Sequence, residues 1–392
     1  MNTKGSALTM LVAKLRIGID FLLVCAIVTV AMFTGCIEEE TTTPTVTITP
    51  TVSSHAQEIV TGGLSAEGRR MIEVNHEWGN LKEVIVGIGD DLVIPNYARS
   101  VSFIYDSKYS DLMKEYGGRN AMDVDPETTE EVIGQINGLA KVLEDRGVIV
   151  HRTHRLTKPE EKEYLEDVQK GRMFLYARDP ILVIGNNVIE TAIKIPMRAK
   201  ERYAIRPILK ERLNNSTANY VAVPAVSPAF GEEGIYLEGG DVLLNGYEIY
   251  VGNSGRGSNK AGIEWLQKYL GPKYKVYEIK ISPKFEHLDC VLSLPRPRLG
   301  VICREAILSE LPKSIKDWDF IEVSVAEAKK LGANLFVLDE KTCIVDKQHH
   351  RIAEELRQRG QEVIVLPYDK VATWGGGFRC SHHPLRRESK LE

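Results

Sequence analysis

From about residue 70 onward, short apolar runs alternate with polar turns, and one punctuation recurs five times. An apolar stretch, a brief polar turn and a second apolar stretch read as a hairpin. The five places are 84–93, 181–189 around Gly185-Asn186-Asn187, 242–251 around Asn245-Gly246, 291–302 around 295–298, and 335–345 around 339–342. Each is followed by a helical pattern and then by a short strand. Asp125-Pro126 caps and opens the first helix, which runs to about Asp145 before Gly147. In 260–270, Ile263, Leu266 and Leu270 share a helical face, and a last helix over 349–359 stops at Gly360. Strands 148–150, 274–281 and 363–365 follow these helices. Five strand-strand-helix-strand units in fixed order predict a closed, propeller-like α/β array. An open α/β sheet would show the same alternation, so the pattern alone leaves both architectures standing.

The first seventy residues follow a different pattern. Lys4, Lys14 and Arg16 precede an apolar run over 21–33, a charged n-region ahead of a signal-like h-region. The run is short against the roughly 20 residues of a membrane span. It ends in Phe33-Thr34-Gly35-Cys36, which resembles a lipoprotein signal with Cys36 as the lipidated residue. An uncleaved signal anchor is the alternative. Residues 37–68 are rich in Thr and Pro and read as an extended linker. The expected organisation is a leader or anchor over 1–36, a linker over 37–68 and a catalytic domain over 69–392. That domain is expected outside the cytoplasmic membrane, tethered to it by the leader.

Composition narrows the field. The 392 residues have ordinary hydrophobic and charged fractions and a net charge of −4, which offers no basic field to nucleic acid. None of the six cysteines forms a CxxC pair, so zinc and thioredoxin-like sites are not indicated. No phosphate-binding loop is present, and neither a metal nor an organic cofactor is expected.

The candidate chemistry lies in the turns. Gly375-Gly376-Gly377-Phe378-Arg379-Cys380 places a cysteine after a glycine run, beside Arg379 and ahead of His382 and His383. Positive neighbours favour a nucleophilic thiolate, whereas Cys290, Cys303 and Cys343 sit in apolar strand patterns and read as core. In His287-Leu288-Asp289, alternation puts the imidazole and the acid on one side of an extended chain, as a general acid–base histidine needs. Glu238-Gly239-Gly240-Asp241 sets two acids across a turn, and Asp179 lies between Arg178 and Pro180 just before a strand. Carboxylates match a planar guanidinium through paired charge-assisted hydrogen bonds. A thiolate attacking its central carbon forms a covalent intermediate while the histidine protonates the departing amine.

These residues resemble the amidinotransferase family, within the guanidine-modifying enzymes of pentein fold. The resemblance covers about 75–387 and rests on ordered segments: Asn75-His76-Glu77-Trp78-Gly79-Asn80, Arg178-Asp179-Pro180 with Gly185-Asn186-Asn187, Gly262-Ile263-Glu264-Trp265, Leu338-Asp339-Glu340-Lys341 and the glycine run to Cys380. It implies a pentein α/β-propeller around a central active site. Cys380 then matches the nucleophile, His287 the acid–base histidine and Glu238 its carboxylate partner. Asp179 and Asp289 match the acids that hold the guanidinium, and Arg304 falls near the binder of a substrate carboxylate. Two positions depart from the family: Arg379 replaces a histidine often found before the nucleophile, and Glu286 stands where methionine is common. The expected activity is transfer of the amidino group of arginine, or a similar guanidino donor, to an amine such as glycine. The runner-up is a deiminase giving citrulline and ammonia. A non-catalytic surface protein that binds guanidino compounds is the reading from another class. The acceptor amine and the oligomeric state stay open. Asp179, Glu238, His287, Asp289 and Cys380 are all expected to meet in one central pocket.

Overall fold

The computed structural model describes residues 71–97, 107–157, 171–224, 234–389 and 391. The leader, the linker and Cys36 lie outside the described residues. Among the described residues, no helix is long and apolar enough to cross a membrane.

Among the described residues there are five three-stranded sheets. In each, a central strand pairs antiparallel with one neighbour and parallel with the other. Antiparallel neighbours need only a tight turn, whereas the parallel strand must be reached by a crossover. The second unit pairs Ile181–Ile184 with Asn187–Glu190 through Gly185, whose φ of +56° suits glycine, then crosses by the helix Arg202–Asn214 to Asn219–Ala222. The third joins Val242–Asn245, Glu248–Asn253 and Lys275–Lys280, with the helix Lys260–Leu270 between the last two. The fourth has Leu292–Arg296, Leu299–Ile302 and Asp319–Glu322; the fifth has Phe336–Val337, Thr342–Asp346 and Glu362–Leu366. This is the five-unit α/β architecture expected from the repeat.

Two details differ from expectation. Residues after Val86 leave the sheet rather than completing a hairpin over 84–93. The antiparallel partner of Asn80–Val86 is instead His382–Glu388, at the far end of the chain, while Ile149–Arg152 pairs on the other side in parallel. The first unit is thus shared between the two ends of the domain. In the fourth unit no helix crosses between Ile302 and Asp319; only a short turn at Arg304–Ala306 and coil intervene, and Pro312 lies within that coil. Proline there removes a helical hydrogen bond and clashes with the preceding turn.

The helix Pro126–Asp145 shows how sequence sets these elements. The Asp125 side chain accepts a hydrogen bond from the Thr128 N–H, and Pro126 occupies the first turn, where no N–H is missed. Val132, Ile136, Leu139, Ala140 and Leu143 form one buried stripe. Removing the cap with Asp125→Ala is expected to cost about 1 kcal/mol. In a domain of this size that lowers the melting temperature by about 2–3 °C, readable by thermal denaturation.

Candidate active site

The chain leads into the first strand of each unit through a functional turn. Asp179 precedes Ile181–Ile184, Glu238 precedes Val242–Asn245, His287 and Asp289 precede Leu292–Arg296, and Cys380 precedes His382–Glu388. Glu238 and His287 even share a local geometry, each extended and followed by a short 3-10 turn, Gly239–Asp241 and Leu288–Cys290. Five repeated approaches to the centre therefore deliver side chains that are far apart in sequence. The fifth unit supplies Asn334, ahead of Phe336–Val337. The sequence reading missed Asn334, and its place in the repeat is the signal that would have found it.

Asp179, Glu238, His287, Asp289 and Cys380 are all at most 5% exposed, and they converge. His287 Nε2 lies 2.8 Å from Glu238 Oε2, and its Nδ1 lies 3.7 Å from Asp179 Oδ1. Glu238 Oε1 accepts from the Lys194 N–H at 2.8 Å, which orients the carboxylate. Asp179 Oδ1 accepts from the Gly240 N–H at 2.8 Å, and a Cβ on Gly240 would meet His287 Nδ1 at 2.5 Å, so glycine is required for this approach. The Cys380 sulfur is 3.7 Å from Asp289 Oδ2 and receives a hydrogen bond from Asn334 Nδ2 at 3.2 Å. Asp179, His287 and Cys380 line a narrow cavity of about 30 Å³, walled by Met173, Met197, Trp374 and Gly376. At ~10–15 Å³ per water it holds about two.

Electrostatics overturn one expectation. Cys380 does not sit in a positive field that lowers its pKa. Burial first, then Asp289 and Asp179, push the thiol well above its ordinary value, against weaker opposition from Gly377 and Asn334. The neighbouring bases face elsewhere. Arg379 holds Asp289 at 3.1 Å and clamps Glu77 at 3.0 and 3.1 Å. His382 donates from Nδ1 to the Phe378 carbonyl and accepts from Arg178 at Nε2; burial and then Arg178 keep it and His383 well below the usual imidazole range, hence neutral. For His287, burial acts to lower the pKa. Asp179, Glu286, Asp241 and the Glu238 hydrogen bond together outweigh burial and hold the imidazole well above its ordinary value. The resting site is therefore an imidazolium and a neutral thiol.

Other expected residues fall in varied places. Asp241 does not line the cavity: it accepts from the Leu288 and Ser258 N–H groups and fixes the two turns against each other. Cys303 and Cys343 are buried core, whereas Cys290 is buried but has one face on the cavity, 3.7 Å from Asp289 Oδ1. Arg304 lies outside the cavity, about half exposed, paired with Glu322 at 2.6 Å. The arginine that faces the cavity is Arg198, 2.9 Å from Asp179 and doubly bonded to Glu201. No spacing signal marked it. Asp179, Glu238 and His287 each bring one ligating atom within 4.8 Å of the others, a possible metal cluster by distance alone. The His287–Glu238 hydrogen bond and the Arg198–Asp179 ion pair already engage these groups, which suits proton handling better than metal ligation.

A family model described as "N,N dimethylarginine dimethylhydrolase, eukaryotic" matches residues 119–387. The chain belongs to the pentein family of amidinotransferases and dimethylarginine dimethylhydrolases. It is 24% identical to the mitochondrial glycine amidinotransferase of Danio rerio over 359 residues, covering 81% of this chain and 83% of that protein. It is 23% identical over 350 residues to the L-arginine:L-lysine amidinotransferase of Pseudomonas savastanoi pv. phaseolicola, covering 81% of this chain and 94% of that one. In fold it matches an amidinotransferase of the saxitoxin biosynthetic pathway from Microseira wollei, with a TM-score of 0.69 at 24% identity, over 82% of this chain and 98% of that one. This pentein is thus an enzyme of the guanidino-modifying class.

The protonation states are open to measurement. Thiolate absorbance attributable to Cys380, taken as wild type minus Cys380→Ser, is expected to be absent at pH 7 and to grow in only above the ordinary thiol value of 9.0. A Cys380-dependent band already present at pH 7 would contradict the field described above.

Proposed function

We propose that this pentein transfers the amidino group of arginine, or a similar guanidino donor, to an amine through a covalent adduct on Cys380. The observation that carries the reading is that Cys380, His287 and Asp179 line one cavity, with Asp289 against the sulfur and Glu238 against the imidazole, both outside the lining. A thiol flanked by two acids is poor at ionising alone, but a guanidinium seated between those acids reverses the local charge. The thiol then loses its proton to solvent, and the thiolate attacks the guanidinium carbon. As the C–S bond forms, the C–N bond to the leaving amine breaks and His287 delivers the proton that amine needs. In the second half, the acceptor amine attacks the amidino carbon, the C–S bond breaks and His287 takes back a proton. Glu238 holds the ring in position for both transfers. Met173 and Met197, unbranched and adaptable, line the narrow cavity, and the proposal requires them to move aside for a donor.

Hydrolysis is the second reading, supported by the hydrolase named in the matching family model. It shares the first half-reaction and differs in whether water or an amine reaches the adduct. The N-terminal leader supports placing the reaction outside the cytoplasmic membrane, which belongs to the proposal. Mass spectrometry after incubation with arginine and a panel of amines including glycine is expected to show ornithine together with a guanidinated amine. Cys380→Ser is expected to lower turnover by at least ~10³. Citrulline and ammonia with amines present would replace transfer by hydrolysis; no product at all would favour a binding protein.

The arginines separate in the same assay. Arg198 is the cation on the cavity wall, where it holds Asp179 for the donor guanidinium, whereas Arg304 lies outside. Arg198→Ala is expected to raise KM for arginine by about 10–100-fold, because the buried Asp179 loses the charge-assisted partner that orients it. Arg304→Ala is expected to change kcat/KM by less than about twofold, as for other exposed pairs.

A further inference from the structure

Glu286 is an acid whose part in the chemistry above is limited to raising the His287 imidazole. It precedes His287 and is only 9% exposed, yet it lines the cavity beside Asp179, Arg198 and Cys380. Its backbone is held in place, because the Ser254 hydroxyl donates to the Glu286 carbonyl at 2.7 Å. Its side chain is not: the buried Oε1 has no hydrogen-bond partner. A buried carboxylate oxygen left unpaired carries a desolvation cost that structures rarely leave uncompensated.

The nearby cations do not fill this gap. Arg198 is spent on Asp179 and on both oxygens of Glu201. His287 is hydrogen-bonded to Glu238. Arg379 serves Glu77 and Asp289. Burial pushes the Glu286 carboxyl up to about 7, with His287 and Arg198 opposing and Glu238 and Asp179 reinforcing. An arriving cation would draw it fully into the ionised form. A ligand with no donor at this position would leave the oxygen unpaired, and a neutral donor would pair it without the charge.

We propose that Glu286 is a specificity-determining residue whose free carboxylate oxygen binds a second cationic nitrogen of the substrate, an ammonium group separate from the guanidinium. This rests on the guanidino reading of the site and adds to it. The pocket distinguishes an ammonium-bearing guanidine from a guanidino acid that lacks the amine. The discrimination comes from a paired charge in the one case and a buried unpaired carboxylate in the other.

Two probes differing only in that group test it: L-arginine and 5-guanidinopentanoate. Their affinities are measured by calorimetry on the full chain carrying Cys380→Ala, so that no turnover intervenes. Arginine is expected to bind at least ~10-fold more tightly, the scale of a charge-assisted hydrogen bond to a buried acid. Adding Glu286→Gln, or Glu286→Met as a second apolar variant, is expected to bring the two within about twofold. It does so by weakening arginine while leaving 5-guanidinopentanoate equal or tighter. An arginine preference that survives both variants, or no preference to begin with, overturns the proposal, as does failure of both ligands to bind. Turnover of the wild-type chain is read in parallel. A Glu286-dependent preference without turnover leaves the inference standing and removes only the proposed reaction.

Discussion

The buried guanidinium of Arg379 ties together parts of the chain that share no local contact. It clamps Glu77, which leads toward the first strand, and it donates to the Val242 carbonyl in the third unit and to Asp289 at the mouth of the fourth. Its own backbone N–H bonds to Asn334 of the fifth unit. A charge taken out of water needs every donor satisfied, and removing one partner of such a group costs about 3–5 kcal/mol. Arg379 therefore acts as a geometric constraint. Units brought to the centre around it cannot shift independently, and Cys380, the next residue, inherits that position.

This constraint also sets the chemistry. Because Arg379 is drawn toward Glu77 and Asp289, its charge serves those acids and not the thiol. Asp289 is held in contact with the sulfur, and burial, then Asp289 and Asp179, push the thiol above its ordinary value. The same acids are what a guanidinium would bind. In the proposed mechanism reactivity is coupled to occupancy, because a cationic substrate cancels the charge pattern that raises the thiol. His287 is the counterpart: the carboxylates around it outweigh burial and hold its imidazole well above the ordinary value.

Local sequence carried most of the architecture. The helix after Asp125-Pro126 and the hairpin turning at Gly185 are written in residues a few positions apart, where capping, φ preference and apolar spacing act directly. The first unit was misread because the partner of Asn80–Val86 is the C-terminal strand His382–Glu388, and no local signal reports a pairing across the whole domain. The site was legible in its residue types. Cys380, His287, Glu238, Asp179 and Asp289 stand out because a thiol, an imidazole and several acids next to glycines and strand starts are costly to bury without use. Asn334 gave no such signal, and Arg304 was named while Arg198 was not, because sequence distance does not show which guanidinium faces inward.

Residue order alone thus determined the repeated unit, its turns and caps, and the set of groups available for guanidine chemistry. All of these depend on interactions within a few residues or on the intrinsic chemistry of a side chain. Tertiary structure alone decided the sign of the field at Cys380, the neutrality of His382 and His383, and the exposure of Glu286 to the cavity with an oxygen unpaired. Charge interactions in a buried site follow distance and direction through space, and adjacency along the chain fixes neither.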